Sequence, residues 1–215
     1  MTKPVRHYTS DALDVTYDAQ RCIHAAECVR GLPAVFNPQQ RPWIQLDAAD
    51  ADSVTQVVLR CPTGALHVVR KDGGADEPLP EHNGISIVVD GPLYLHGRLH
   101  IRAADGTTLI EDTRVALCRC GMSTNKPFCD NTHTHVKFTD DGQIGDHNLA
   151  AFTEEGELTI TLSPNGPILL SGPFELHSAD GNTILYGQKA ALCRCGGSQR
   201  KPFCDGTHQQ QGFQG

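Results

Sequence analysis

The chain has 215 residues, enough for one or two ordinary domains or several small ones, and its hydrophobic content of 39% is unremarkable for a soluble protein. Lys and Arg number 18 against 25 Asp and Glu, a net charge of -7, which argues against nucleic acid or an anionic membrane surface as the main partner, since both require a basic face. There is no run of about 18 apolar residues, so no membrane span is expected; the opening MTKPVRHYTSDALDV also lacks the apolar core of a secretory signal peptide, and a cytoplasmic location is expected.

In chain order, residues 10–18 read as a loop leading into a short strand, and residues 24–30 as a helix ending near Gly31. Residues 50–60 carry Val54, Val57 and Val58 on one side and read as a second helix, followed by Cys61-Pro62 and a closing strand over residues 66–69. Residues 71–83, KDGGADEPLPEHN, are polar and rich in Gly and Pro and read as a linker. Alternating Ile85, Ile87 and Val89 then suggest a strand, with a second around residues 93–95, a turn at Asp105-Gly106 and another short strand into a cysteine-bearing loop. Leu158, Ile160 and Leu162, residues 168–170, Asp180-Gly181 and a second cysteine loop repeat that order. The expected fold class is α+β: a small N-terminal domain at 1–71, a linker at 72–83, and two mostly β units at 84–138 and 156–215 joined by a connector at 139–155. Units of this size bury little core and usually need a metal or another staple.

Nine cysteines cannot all pair as disulfides within one chain, and in a reducing compartment such a set points to metal. They fall into three groups of three: Cys22, Cys28 and Cys61; Cys118, Cys120 and Cys129; Cys193, Cys195 and Cys204. The last two groups belong to one repeated motif, C-x-C-x2-S-x3-P-x-C-D-x-T-H, at a constant offset of 75 residues (Cys118 to Cys193). The same offset holds back through Gly91-Pro92 and Gly166-Pro167, so the second part of the chain is a tandem duplication.

Within each motif Cys129 and His133, or Cys204 and His208, lie four apart, one helical turn, and can reach one metal centre. Asp130 and Asp205 are suited to cap that turn, whose amides would face an anionic centre. Ser123 and Ser198 are placed to hydrogen-bond the ligands, and Phe128 and Phe203 to shield the site or to pack in the core. Asn131 stands where the second copy has Gly206; if that position needs positive φ, Asn is the least costly replacement. Three sulfurs and an imidazole also suit zinc, although zinc ribbons more often use C-x2-C knuckles.

The motif resembles the signature of the CDGSH family of [2Fe–2S] proteins. The resemblance implies two clusters, one held by Cys118, Cys120, Cys129 and His133, the other by Cys193, Cys195, Cys204 and His208. Three thiolates and a neutral imidazole leave an oxidised [2Fe–2S] site at −1 where four thiolates leave −2, which eases electron uptake, the direction in which histidine acts in Rieske centres. The imidazole must be deprotonated to bind, so cluster loss is expected to accelerate below about pH 6. Members of the mitoNEET type are homodimers with one cluster per chain. The tandem repeat resembles that dimer fused into one chain, which implies a pseudo-twofold pair inside a monomer.

Cys22 and Cys28, with the distant Cys61-Pro62, resemble a divergent single-cluster bacterial ferredoxin domain over about residues 15–69. Ala25 stands where the middle cysteine of the usual C-x2-C-x2-C run belongs. Three readings stand side by side: a [3Fe–4S] cluster on three thiolates, a [4Fe–4S] cluster with His24 or water on the fourth iron, and zinc or an empty site. No nucleotide-binding glycine loop or nucleophile–base pair stands out. One-electron transfer with a redox partner protein is the expected function. A carrier handing clusters to apo-proteins, and a module with purely structural metals, are the readings set against it.

Overall fold

The computed structural model describes residues 4–145, 147, 149 and 155–215. The chain divides into two compact units, Met1–Pro78 and Leu79–Gly215. It is mostly β with few helices, and no helix among the described residues is long and apolar enough to cross a membrane.

In the first unit, strands β1 (Arg6–Thr9), β2 (Leu13–Tyr17) and β3 (Leu66–Arg70) form an antiparallel sheet in the order β1-β2-β3. Strand β2 alternates as half-buried strands do: Leu13 and Val15 point into the core beside Phe36, Ile44 and Leu66. Helix α2 (Ala51–Leu59) closes that core with Val54, Val57 and Val58, and the Asp50 side chain caps it by accepting from the Ser53 amide at 2.8 Å. Helix α1 covers only Glu27–Gly31, shorter than residues 24–30 suggested, because His24 (φ 57) and Ala26 (φ 65) are left-handed. Strand β1 was not expected; it is an exposed edge with no hydrophobic alternation. The far edge, β3, is covered by the start of the predicted linker, where the Val68 and Arg70 amides donate to Glu77 (2.9 Å) and Asp76 (3.2 Å).

In the second unit the first copy supplies β4 (Gly84–Ile87), β5 (Leu93–Arg102) and β6 (Thr108–Leu117), and the second supplies β7 (Leu158–Leu162), β8 (Ile168–His177) and β9 (Ile184–Leu192). Val89 falls outside β4, which ends at Ile87 ahead of a tight turn with Asp90 at φ 50. Each copy is an antiparallel meander, and the two are sewn together by parallel pairs across the duplication. Gly84, Ile85 and Ser86 of β4 pair with Glu175, Leu176 and His177 of β8, while Thr159, Ile160 and Thr161 of β7 pair with His100, Ile101 and Arg102 of β5. Moving every residue of the first set by the 75-residue offset gives the second set, so the exchange is reciprocal. The result is one six-stranded sheet and one core, in which Ile85, Leu95 and Ile101 pack with Leu158, Leu170 and Leu176.

Asn83, the last residue of the predicted linker, is buried inside this unit rather than loose. Its Nδ2 donates to the Gly156 and Pro173 carbonyls, both at 2.8 Å, and its Oδ1 accepts from the Arg98 amide at 2.8 Å. The predicted connector at 139–155 lies partly outside the described residues. Its start is anchored, with the Asp90 amide donating to the Asp140 carbonyl at 2.9 Å and the Ala179 amide to the Gly142 carbonyl at 3.0 Å.

Candidate metal centres

Each cysteine loop begins where its strand ends, after Leu117 and after Leu192. The loop folds back on the strand: the Cys118 amide donates to the Pro127 carbonyl (2.8 Å) and the Cys129 amide to Ala116 (2.9 Å), and the second copy repeats this from Cys193 to Pro202 (2.7 Å) and Cys204 to Ala191 (2.8 Å). The candidate ligands thereby meet in pairs. Cys118 Sγ stands 3.7 Å from Cys120 Sγ, and Cys129 Sγ stands 3.4 Å from His133 Nδ1. The second copy gives 3.8 Å for Cys193 and Cys195, and 3.4 Å for Cys204 and His208 Nδ1. Among the described residues, no three His, Cys, Asp or Glu side chains converge on one point suited to a single ion.

The thiols differ in acidity. A hydrogen bond from Cys118 pushes Cys120 down to about 6, while the same bond and burial push Cys118 far up. Burial raises Cys129 to about 11 and raises Cys193 and Cys204 as well. Burial lowers the His133 imidazole, which keeps it neutral at pH 7, the form that binds metal.

The turn carrying each histidine is short: a 3-10 turn at Thr132–Thr134 in the first copy and helix α3 (Thr207–Gln210) in the second. Its entry residue is left-handed in both, Asn131 at φ 72 and Gly206 at φ 89, as the Asn-for-Gly exchange suggested. Asp130 stands one residue before the N-cap, which is Asn131 and makes no side-chain cap bond; its carboxylate instead ties the turn to the loop, accepting from the Thr132 amide (3.0 Å) and from the amide and hydroxyl of Thr124 (2.8 Å each). These bonds overcome the opposing effect of burial and hold its carboxyl far below the usual range. The serines act at two places. The Ser123 and Ser198 hydroxyls donate to the Phe128 and Phe203 carbonyls, at 2.7 Å each, and brace the loop from within, while their backbone amides face the Cys118 and Cys193 sulfurs and favour the thiolates. Phe128 and Phe203 pack on the core.

Arg119 and Arg194, the residues between the paired cysteines, had no assigned role from sequence, yet both are buried. Arg119 donates to the Gly91 carbonyl (3.0 Å) and the Val88 carbonyl (2.6 Å), and Arg194 to Gly166 (3.0 Å) and Ser163 (2.7 Å). Phe138 and Phe213 lie against their guanidinium groups at 5.1 and 5.3 Å. The copies diverge at the outer contact: Arg119 pairs with the Asp140 carboxylate, Arg194 with the Gly215 carbonyl at 2.8 Å. The signal available in the sequence was the recurrence of Arg at the same motif position. Arg119→Met is expected to cost about 3 kcal/mol, the low end for a broken buried pair, because the Gly142 amide and Lys201 Nζ stay near Asp140 at 3.0 and 3.8 Å. Urea denaturation of the full chain measures it.

The two cysteine loops also touch each other, backbone to backbone. Gly121 (φ +79) lies against the Cys195 carbonyl, where a Cβ would collide, and Gly196 (φ +82) is so close to Cys120 that a Cβ would stand 2.6 Å from its carbonyl oxygen. Each loop therefore seats the other's second cysteine.

In the first unit Cys22, Cys28 and Cys61 line one small cavity together with Ala25 and Pro62. Burial raises the Cys28 thiol to about 11, and Cys61 Sγ lies 3.5 Å from Thr63 Oγ1. Burial and a hydrogen bond with Cys22 raise the Tyr17 phenol. His24 is exposed and lines an outer cleft that it shares with Cys22 and Cys28 but not with Cys61. The left-handed His24 and Ala26 flank Ala25, so the backbone departs from helical geometry around the position that lacks a cysteine.

Residues 8–71 match the family described as a divergent 4Fe-4S mono-cluster. Residues 90–134 and 165–209 each match the family described as an iron-binding zinc finger of CDGSH type. The uncharacterized protein YjdI of Escherichia coli (strain K12) is 41% identical over 61 residues, which cover 28% of this chain and 80% of that protein, and YjdI of Escherichia coli O157:H7 matches equally. No solved structure matches the chain.

Proposed function

Because the chain belongs to the CDGSH-type iron-binding family, with a divergent 4Fe-4S mono-cluster domain ahead of its two CDGSH repeats, we propose that it is a one-electron carrier built on three iron–sulfur centres. The observation that carries the reading is the pairing of the ligands. A tetrahedral metal bonded to two sulfurs at about 2.3 Å sets them about 3.8 Å apart, which fits Cys118 with Cys120 at 3.7 Å and Cys193 with Cys195 at 3.8 Å. The remaining Cys and His of each motif form a second, separate pair. Two pairs suit the two irons of a [2Fe–2S] cluster, whereas one zinc would draw all four ligands to a single point. Such a cluster supplies a site that takes up and returns one electron. The residues of the chain provide the setting: histidine ligation eases reduction, Arg119 and Arg194 place a positive charge inside each loop, and the buried Cys118 and Cys193 face away from water.

The reciprocal strand registers support a pseudo-twofold pair within a monomer, with site one in residues 84–138 and site two in residues 156–215. The N-terminal centre rests on Cys22, Cys28 and Cys61. Three thiolates by count suit [3Fe–4S], and the description of the matching family favours [4Fe–4S] with a non-cysteine ligand on the fourth iron. A second reading, transfer of whole [2Fe–2S] clusters to apo-proteins, is favoured by one observation: His133 and His208 are part-exposed while Cys118 and Cys193 are buried, so the histidine side of each site is the open one.

Anaerobic purification followed by iron, zinc and acid-labile sulfide assays and EPR tests both. About seven irons per chain with a signal already in the oxidised state is expected for [3Fe–4S], and about eight with a silent oxidised state for [4Fe–4S]. Clusters that survive reduction and reoxidation support the electron carrier, and rapid conversion of an apo-ferredoxin supports the cluster carrier. Colourless protein with two or three zincs and no sulfide overturns both.

A further inference from the structure

The first unit carries a feature that electron transfer does not use. A cleft of about 680 Å3 opens on its surface beside Cys22 and Cys28, a volume in the range of small-molecule sites. One wall is aromatic and pre-formed: Trp43 stands edge-on to Tyr17 with ring centroids 4.9 Å apart, and to Tyr8 at 6.4 Å. Arg6 and Arg41 also line the cleft, with His24. The Arg41 guanidinium is set in place by Nη1 donating to the Pro38 carbonyl (2.8 Å) and the Gln40 carbonyl (2.7 Å). Among the described residues no Asp or Glu lines it, although the chain as a whole carries a net charge of -7. A cavity lined by aromatic rings and two guanidinium groups, on an otherwise acidic protein, is complementary to a ligand with a flat apolar body and a negative charge.

We propose that this cleft binds a small aromatic anion, its ring against Trp43 and Tyr8 and its charge toward Arg6 and Arg41. The bound molecule lies against the cysteine loop, with Cys22, Ala26 and Cys28 in the same wall, and Tyr17 joins the two places because it lines both the cleft and the cysteine cavity. The site goes beyond the electron-carrier reading and borders its N-terminal centre, since Cys22 and Cys28 line both places.

Isothermal titration calorimetry of the full chain tests it, with 2-naphthoate as the probe, 2-naphthamide as its neutral counterpart and citrate as an anion without a ring. Saturable binding of one naphthoate per chain is expected, weakened about tenfold or more by Arg6→Gln or Arg41→Gln, the loss expected for a charge-assisted hydrogen bond. Binding of the amide as tight as that of the anion overturns the proposal, as does citrate binding as tightly as naphthoate, unchanged affinity in both arginine variants, or no saturable heat. Iron and sulfide are assayed on the same sample, which separates this inference from the cluster reading. Naphthoate binding to protein without an N-terminal cluster leaves the cleft standing and removes that cluster; a loaded cluster without naphthoate binding removes the cleft alone.

Discussion

Gly121→Ala is expected to strip iron from the second repeat as well as the first. The residue is left-handed, a conformation that costs a side-chain-bearing residue about 1–2 kcal/mol, and its new Cβ would collide with the Cys195 carbonyl, a backbone atom that cannot rotate away. Overpacking of this kind adds about 1–3 kcal/mol. The Cys195 segment has to shift, and Cys195 is a candidate ligand of the other site. Gly106→Ala supplies the control: Gly106 has the same left-handed backbone (φ +87), but nothing lies within 4 Å of a Cβ there. Iron and sulfide per chain and visible absorbance measure the effect. Gly121→Ala should lose more iron than one site holds and Gly106→Ala almost none. Loss confined to the first site would mean that the loops touch without supporting each other.

The second large effect is expected in acid. On the proposed ligand sets, protonation of His133 or His208 would remove a metal ligand, so the visible absorbance of the wild-type chain should decay faster as pH falls below about 6. For His133 the fold acts in the same direction. Burial lowers its folded-state pKa below the unfolded value, so between those two values the unfolded chain binds more protons; stability is full above the unfolded pKa and is lost as pH falls through the folded one. In the double variant His133→Cys and His208→Cys the decay at pH 5 should slow by about tenfold or more, since no imidazole is left to protonate. Equal decay rates in the two proteins would place the acid-sensitive step elsewhere.

The candidate ligands of the repeats and the duplication that relates them could be read from the chain because both depend on local spacing. Cys129 and His133 do meet, at 3.4 Å, although through a left-handed Asn131 and the start of a 3-10 turn rather than the helical turn their spacing suggested, and Asn131 declared that left-handed backbone by standing opposite a glycine. The alternation of Leu158, Ile160 and Leu162 likewise announced a strand and its buried face. Periodicity does not say which strand lies alongside. The parallel pairs between β4 and β8 and between β5 and β7 join residues distant in sequence, and no local pattern marks them. Arg119 escaped notice for a different reason: arginine is seldom fully buried, and only the folded chain shows carbonyls, a carboxylate and an aromatic ring gathered around it. In the N-terminal unit the helix is shorter than its sequence suggests because nothing in the letters of His24 and Ala26 signals positive φ.

The crossed strands set an order of events during synthesis. One edge of β4 is completed by β5 soon after both leave the ribosome, but the other awaits Glu175, 91 positions after its partner Gly84. At about 5–20 residues per second the interval is roughly 5–18 s. Throughout it the first copy offers an open strand edge and an apolar face meant for the second, and a neighbouring nascent chain carries the same sequence. An early encounter between two such chains would pair them by the registers the finished molecule uses within itself, giving a swapped dimer in place of a monomer. Slow translation of the second copy, or crowded ribosomes on one message, would therefore shift the yield from single chains toward interlocked pairs.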